Sequence, residues 1–308
     1  MQEIIDAVDK SVLDRELTPE RFVKSTNSGG NEIYIVNHKN SPNVTREIGR
    51  LREITFRDAG GGTGLACDLD EFDLDEGNPF SQLLVWDPRG KEIIGGYRFI
   101  HGKTLTRHAD GRINTPTSEL FQLSDRFIEE YLPHTIELGR SFVQPNYQPT
   151  VNLRRGMYAL DNVWNGLGAI LMQNPDVKYY FGKITMYPRY NIVARDLILY
   201  FLQKYFGDKN KLVYPYESLR IETPEDFLSA QFNGGSYDKD YKILVQQVRL
   251  RNENIPPLVN AYMNLSETML FFGTSLNPGF GEVEESGILV TLDDVYDFKK
   301  DRHLSVPS

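Results

Sequence analysis

The sequence predicts an α+β fold in which helices cover both faces of one mixed β-sheet. Apolar residues at helical spacing alternate along the chain with short segments rich in β-branched and aromatic residues, which favour strands. These segments follow one another as helix, strand pair, central strand, helix, strand, helix and a final strand pair. Such an order builds a sheet between layers of helices. With 308 residues, the chain can bury a sizeable core.

The N-terminal half is expected to supply the first helices and a hairpin. Ile5, Val8 and Val12 lie at helical spacing and predict the first helix. The turn signal Asp87-Pro88-Arg89-Gly90 predicts a hairpin, and Gly95-Gly96 in its second strand allows another chain or a ligand to approach the backbone closely. The predicted elements of this half are a helix over 2–17, a short second helix that begins at residue 18, a helix over 45–57, a short strand or loop over 32–36, and strands over 83–86 and 92–100.

The C-terminal half is expected to begin with a short helix that Pro133 ends. The central strand follows, and the remaining helices and strands alternate after it. Residues 208–265 are predicted to form an appendage with helices of its own. The predicted elements of this half are helices over 124–131, 156–173, 192–206, 239–251 and 257–265, and strands over 135–143, 177–186, 268–274 and 287–292.

The central strand, Thr135–Val143, carries two ionisable residues, Glu137 and Arg140, within an otherwise apolar segment. Such side chains are rarely buried unless they are paired or used. Arg98, in the preceding strand, is expected on the same face as Ile100, because side chains two apart share a face. Two interpretations stay open: a structural ion pair between strands, or a site of chemistry.

A glycine-rich loop, Gly60–Gly64, precedes an acidic segment, Asp68–Glu76. The loop lacks the Gly-Lys-Ser/Thr ending of a P-loop, and no strand precedes it as a dinucleotide fingerprint requires. We therefore expect a mobile lid or a substrate path. The aspartates are either a solvated loop and helix cap or part of a binding site.

Composition excludes several classes of function. The formal charge of −9 argues against a nucleic-acid partner, which would need a basic face. The single cysteine, Cys67, excludes an internal disulfide and a cysteine-rich zinc site, and no pair of histidines has metal-ligand spacing, so no metal is expected. The segment Gly139–Val143 fails the serine-hydrolase pattern Gly-x-Ser-x-Gly at its last position.

The sequence predicts neither a signal peptide nor a membrane-spanning segment. The N-terminus lacks the basic and apolar regions of a signal peptide. No apolar run approaches the roughly 20 residues that span a bilayer. We expect a cytoplasmic protein, with peripheral contact to the inner face of the cytoplasmic membrane as an open alternative.

Several motifs follow one another between about residues 44 and 293. They are Arg46–Arg57, Gly60–Gly64 with Asp68–Asp73, Leu83–Asp87 with Gly96–Arg98, Glu137–Ser141 and Ile255–Tyr262. Together they resemble the GNAT-like, often hemolysin-like, N-acyltransferases of bacterial aminolipid synthesis, which make lyso-ornithine or glycine lipids. The resemblance implies a GNAT-type (acyl-CoA N-acyltransferase-like) mixed β-sheet flanked by helices. In that fold the donor's pantetheine arm lies between the central strand and the next.

The same motifs are similar to those of the acyl-homoserine lactone synthases, although glycines replace an aromatic residue that those enzymes place before the Asp70 position. The catalytic residues are expected to be Glu137, Arg140 and Arg98. Glu137 would be the general base or the residue that steers it, directly or through a water, and Arg98 and Arg140 would hold the acceptor's carboxylate. Asp70 and Asp73 would orient those arginines or bind the acceptor's ammonium. The remaining substrate-binding residues of the pattern are Arg52 and Phe56.

The donor site is expected at Arg154, Arg155 and Gly156, where a helix N-terminus favours phosphate. The segment Leu153–Tyr158 departs at both ends from the pattern of coenzyme A-dependent GNAT enzymes, Gln/Arg-x-x-Gly-x-Gly/Ala. The departure favours acyl carrier protein as donor and partner, with acyl-CoA as the alternative, and no permanently bound cofactor. A solvated loop is the structural alternative for the two arginines.

The resemblance implies one function and leaves two alternatives. The implied function is transfer of a (3-hydroxy)fatty acyl group from acyl carrier protein to the α-amino group of ornithine or glycine. The alternatives are an autoinducer synthase and a non-catalytic acyl-carrier-binding protein. The implied domain organisation is an N-terminal helical extension over 1–43, a catalytic domain over 44–293 with the insertion over 208–265, and a tail over 294–308.

Overall fold

The computed structural model describes residues 1–149, 151–152 and 156–304, and of residues 303 and 304 it describes the backbone only. The chain forms two compact units. The first unit comprises Met1–Thr106, Pro133–Lys178 and Tyr296–Ser308, and the second comprises Arg107–Leu132 and Tyr179–Val295.

The strands are β1 (Phe22–Ser25), β2 (Glu32–Val36), β3 (Ser81–Asp87), β4 (Glu92–His101), β5 (Phe121–Leu123), β6 (Thr135–Val143), β7 (Tyr179–Met186), β8 (Val213–Pro215), β9 (Leu270–Asn277) and β10 (Val283–Thr291). The α-helices are α1 (Lys10–Glu16), α2 (Pro42–Ala59), α3 (Glu71–Leu74), α4 (Ala159–Gln173), α5 (Ile192–Phe206), α6 (Glu225–Gln231), α7 (Tyr237–Arg249), α8 (Pro257–Met263) and α9 (Asp297–Lys299). Short 3₁₀ and π segments join several of them.

The first unit holds five antiparallel strands in the order β1-β2-β3-β4-β6. Gln82 pairs with Arg98 and Leu83 pairs with Tyr97, so the two pairs point to opposite faces. Arg52 of α2 binds Gln82, whereas α4 packs on Leu83. Helices therefore cover both faces of these strands, as the sequence predicts.

The glycines of β4 permit close packing of strands. A Cβ atom at Gly95 would meet the carbonyl oxygen of Phe142 in β6, and one at Gly96 would meet that of Leu83 in β3. Any larger residue would force the backbones apart. The predicted close approach is confirmed, and the approaching groups are the two neighbouring strands.

The second unit holds the antiparallel strands β7-β10-β9 and a two-stranded β5-β8 ribbon. Helix α5 packs on β9, and α8 packs on β7. The aromatic rings of Phe127, Phe181 and Phe272 meet in its core, with centroids 5.0 to 6.4 Å apart. Residues 208–265 contribute α6, α7, α8 and β8 to this unit.

The N-terminal region differs from the prediction. The helix predicted over 2–17 is confined to α1. The prediction of a second helix from residue 18 is wrong, because β1 occupies Phe22–Ser25. The N-terminus of α2 also differs, since the Glu16 carboxylate of α1 accepts hydrogen bonds from the backbone N–H groups of Asn43 and Val44 at 3.0 Å. The helix therefore begins at Pro42, three residues before the predicted start at 45, and Glu16 caps it through a contact that local sequence cannot reveal.

Candidate active site

Charged side chains from distant parts of the sequence meet on one face of the first unit's strands. Helix α2, the segment Asp68–Asp73 and strands β3, β4 and β6 all contribute. We call this set the charged cluster, and its members are Arg52, Asp68, Asp70, Asp73, Gln82, Arg98 and Arg140. It brings together the predicted residues Arg52, Asp70, Asp73, Arg98 and Arg140.

Asp73 is the centre of the cluster. Arg52 Nη1 donates to Asp73 Oδ2 at 3.0 Å, and Arg52 Nη2 donates to Gln82 Oε1 at 2.5 Å. Gln82 Nε2 closes the triangle by donating to Asp73 Oδ1 at 2.7 Å. All three side chains are almost completely buried. Charge-assisted hydrogen bonds of this kind hold each group in one orientation.

Arg98 joins two aspartates and two aromatic rings. Its Nη1 donates to Asp70 Oδ1 at 2.6 Å and to Asp73 Oδ2 at 3.0 Å. Its guanidinium carbon lies 5.1 Å from the centre of the Phe80 ring and 5.8 Å from that of Phe72, within the range of cation–π attraction. Only 1% of Arg98 is exposed, so it is placed to hold other residues in position.

The acidic segment is ordered by a capping box on the short helix α3. Asp70 Oδ1 accepts from the backbone N–H groups of Phe72 and Asp73 at 3.1 and 3.2 Å. The Asp70 N–H in turn donates to Asp73 Oδ2 at 3.4 Å. Each carboxylate therefore takes part both in the capping box and in the contact with Arg98.

Arg140 lies in a β-bulge of the central strand. Gly96 of β4 pairs with Phe142 and Arg98 pairs with Gly139, so β6 has one more residue here than β4. Arg140 adopts a left-handed backbone with φ of 52°, which is costly for a residue with a Cβ atom. Its Nε donates to both carboxylate oxygens of Asp68, at 3.2 and 3.0 Å.

Glu137 is on the face of the sheet that carries the charged cluster. It pairs with Ile100, and Gly139 pairs with Arg98, so these four residues share one face. The Arg98 side chain passes over Gly139, since a Cβ there would lie 3.6 Å from Arg98 Nε. Glu137 is 2% exposed.

Exposure increases along the central strand away from Glu137. The next three residues are half-buried and Ser141 is exposed. The Arg140 side chain is 15% exposed and that of Asp70 28%, and their Nη2 and Oδ2 atoms lie 3.8 Å apart. Arg140 and Asp70 are therefore the members of the charged cluster that solvent reaches most, and Arg140 lies three residues from Glu137 on the same strand.

The cluster keeps its central groups ionised. Burial alone would raise the pKa of the Asp73 carboxyl, but the charges of Arg52, Arg98 and Arg140 hold that pKa below the usual 3.8. Burial alone would lower the pKa of the Arg98 guanidinium, but Asp73 and Asp70 raise it. These residues form a fixed electrostatic framework across the neutral pH range.

Other predicted residues lie elsewhere. Phe56 is buried on α2, one turn after Arg52. Gly156 is buried, and a Cβ atom there would meet the backbone nitrogen of Pro149. Arg154 and Arg155 lie outside the described residues.

Sequence reasoning missed Asp68, Gln82, Phe72 and Phe80 as site residues. Gln82 carried a usable signal, since it is a polar residue at the start of an apolar strand, opposite Arg98 across the hairpin. Asp68 stood within an acidic run whose members look alike in sequence. Only the fold shows which aspartate binds which arginine.

The described parts of the chain contain no group of three His, Cys, Asp or Glu side chains that could hold a metal ion. Over the same residues, the structure has no helix long and apolar enough to cross a bilayer.

Comparison with known proteins gives consistent matches. An acetyltransferase (GNAT) domain model matches residues 51–155. The chain is 52% identical over 304 residues to a glycine N(alpha)-acyltransferase of Bacteroides thetaiotaomicron, covering 99% of this chain and 90% of that protein. It is 51% identical to a glycine N(alpha)-acyltransferase of Phocaeicola vulgatus, covering 99% and 93%.

Among solved structures, a CoA-dependent acyl-homoserine lactone synthase covers 91% of this chain and 92% of its own, at 13% identity. Its TM-score of 0.39 is too low to support any inference. The domain match confirms the predicted GNAT-type fold class, and the two relatives confirm that the protein is an acyltransferase. Since more than half of the residues are identical over nearly the whole length, the chain belongs to the GNAT N-acyltransferase family of these glycine N(alpha)-acyltransferases.

Proposed function

We propose that the protein transfers a (3-hydroxy)fatty acyl group from acyl carrier protein to the α-amino group of glycine, as a step in membrane aminolipid synthesis. The observation that carries the proposal is the buried Glu137 on the same face of the central strand as Arg98 and the charged cluster. The names of the two relatives favour glycine over ornithine, which the motifs left open.

The reaction forms one bond and breaks one. The acceptor's ammonium loses a proton to Glu137, directly or through a water, and the free amine attacks the thioester carbonyl carbon. The tetrahedral intermediate collapses with cleavage of the C–S bond, and the leaving thiolate takes up the second proton that the attacking nitrogen loses. Backbone N–H groups of β6 are candidates to donate to the developing oxyanion.

The acceptor's charged groups fit the exposed edge of the cluster. Arg140 is half-buried and Asp70 is partly exposed, so they would bind the carboxylate and the ammonium of glycine respectively. Arg98 is fully buried and already holds two carboxylates. We therefore assign Arg98, with Arg52 and Asp73, to positioning rather than to direct contact with the acceptor. Phe56, buried on α2 one turn after Arg52, is proposed to line this substrate site.

The donor site proposed at Arg154, Arg155 and Gly156 rests on the sequence. A carrier's arm has a single phosphodiester, and a carrier is acidic, so two arginines would serve both. We expect the double change Arg154→Glu with Arg155→Glu to raise KM for acyl carrier protein at least about tenfold, through loss and reversal of charge pairs. An unchanged KM for the carrier would remove these arginines from the docking site.

The proposed step also implies a location and a domain organisation. The protein would work in the cytoplasm, in peripheral contact with the inner face of the membrane that receives its product. The catalytic domain over 44–293, the extension over 1–43, the insertion over 208–265 and the tail over 294–308 stay predictions.

The central experiment incubates the protein with 3-hydroxyacyl-carrier protein and glycine, and measures free carrier thiol and N-acylglycine. Release that depends on glycine supports the proposal. Parallel reactions with ornithine and with 3-hydroxyacyl-CoA decide the acceptor and the donor.

Three other results of that experiment would contradict the proposal. Thiol release without an amino acid would indicate a thioesterase. Lactone formation in a parallel reaction with S-adenosylmethionine in place of glycine would indicate an autoinducer synthase. Carrier binding without turnover would indicate a non-catalytic protein.

A further inference from the structure

The glycine-rich loop, Gly60–Gly64, is held in place rather than left open. Gly60, Gly62 and Gly64 have φ values of 99°, 92° and 74°, a left-handed conformation that residues with a Cβ atom rarely adopt. The glycines therefore allow one tight path of the backbone. The sequence suggested a mobile lid, but this path brings the loop against α2.

Glu53 of α2 anchors that loop. Its carboxylate accepts hydrogen bonds from Thr63 Oγ1 at 2.7 Å, Thr63 N at 3.1 Å and Gly64 N at 2.8 Å. Arg57, one turn later, donates to the same carboxylate at 2.6 Å and also binds the Leu65 carbonyl. The Glu53 side chain is fully buried, so these bonds are its compensation for lost hydration.

The chain leaves the loop in contact with the same helix. A Cβ atom at Gly49 would lie 2.6 Å from Cys67 Sγ and 2.7 Å from Leu69 Cγ, so Gly49 gives this segment room on α2. Asp68 N donates to the Gly49 carbonyl at 3.0 Å. The Asp68 carboxylate then binds Arg140 Nε.

We propose that Glu53 is a positioning residue: by holding the loop on α2 it sets Asp68, and Asp68 holds Arg140 in its left-handed conformation at the acceptor site. Only three residues separate Gly64 from Asp68, so we expect displacement of the loop to be transmitted to Asp68 through this short segment. The assignment of Arg140 to an acceptor site rests on the glycine acyltransferase function proposed above.

The kinetic test compares Glu53→Gln with two other variants. We expect Glu53→Gln and Asp68→Asn each to raise KM for glycine about tenfold with kcat changed less than about threefold, because each loosens Arg140. The double variant should show no further rise in KM, since both changes act through one chain of contacts. Additive effects, or a fall confined to kcat, would overturn the proposal.

Glu47→Gln is the matched control. Glu47 is a buried carboxylate on the same helix, but it binds Arg50 Nε at 2.9 Å and Val8 N at 3.0 Å, outside the loop. It should leave KM for glycine unchanged. Thr63→Val removes only the hydroxyl donor to Glu53 and should give a smaller rise in KM. It replaces Glu53→Gln if that variant does not fold.

Cys67 provides a test that does not depend on catalysis. It is the single cysteine of the chain and is half-buried beside Gly49, and burial raises its thiol pKa to about 11. Release of the loop should expose the thiol and increase its reactivity. We expect Glu53→Gln to speed reaction with a disulfide reagent such as dithionitrobenzoate about tenfold at pH 8, and Glu47→Gln to leave it unchanged.

The two tests separate the two proposals. Equal thiol rates in wild type and Glu53→Gln would overturn the anchoring role, whether or not the protein acylates glycine. A wild-type protein that does not acylate glycine would refute the proposed function. A faster thiol reaction in Glu53→Gln would still support the anchoring role in that case.

Discussion

At the scale of single residues, Glu137 is the side chain on which the proposed chemistry depends. We expect Glu137→Gln to lower kcat at least about tenfold, because the amide cannot accept the acceptor's proton. The shape of the side chain is preserved, so the circular dichroism spectrum and the unfolding midpoint should stay close to wild type. Full activity in this variant would remove Glu137 from the mechanism.

Arg98 is a residue whose role is expected to be structural as well as functional. Arg98→Met would leave Asp70 and Asp73 without one of their cations in a buried site. Removing one partner of a buried pair costs about 3–5 kcal/mol of unfolding free energy. Urea unfolding measures this loss. Arg112→Met, which removes an exposed pair with Asp110, is the control and should leave the unfolding midpoint nearly unchanged. A similar small change at Arg98 would contradict the tight packing of the cluster.

At the scale of elements, α4 packs closely on the sheet at Gly166. A Cβ atom at Gly166 would overlap the Leu83 side chain and lie 2.7 Å from the Tyr97 hydroxyl. We expect Gly166→Ala to destabilise the protein by about 1–3 kcal/mol despite the higher helix propensity of alanine. Gln173→Ala, at the exposed end of the same helix, should be nearly neutral. Increased stability of Gly166→Ala in urea unfolding would contradict this packing.

At the scale of the whole molecule, buried carboxylates make stability depend on pH. Hydrogen bonds from Thr63, Arg57 and Gly64 outweigh burial and hold the Glu53 pKa below 4.5, and three arginines do the same for Asp73 below 3.8. Their folded pKa values lie below the unfolded ones, so the unfolded chain binds more protons in acid. Their contribution is complete above about pH 5 and is lost as the pH falls through the folded values.

We therefore expect the urea concentration at the unfolding midpoint to change little between pH 7 and about pH 5. At pH values below about 4 this midpoint should decrease. Glu53→Gln should show a lower midpoint at pH 7 and a shallower fall in acid, because one of the linked carboxylates is absent. A midpoint that stays constant down to pH 3 would show that these carboxylates do not have lowered pKa values in the folded protein.

The sequence by itself determined the layered α+β class, the bounds of the central strand and the prominence of Glu137, Arg98 and Arg140. These follow from periodicity, turn residues and the rarity of ionisable groups in buried strands, all of which are local signals. The two glycines of β4 also predicted a close approach to the backbone, although the sequence left open whether another strand or a ligand would make it.

The tertiary structure alone decided the partners. Asp68, Asp70 and Asp73 are equivalent in sequence, yet one binds Arg140, one is partly exposed and one is fully buried between Arg52 and Arg98. The bulge at Arg140, the Glu16 cap of α2 and the hold of Glu53 on the glycine loop are further examples. Each depends on contacts between separate segments of the chain. The free energy that stabilises these contacts comes from burial and hydrogen bonding, which only the folded chain creates.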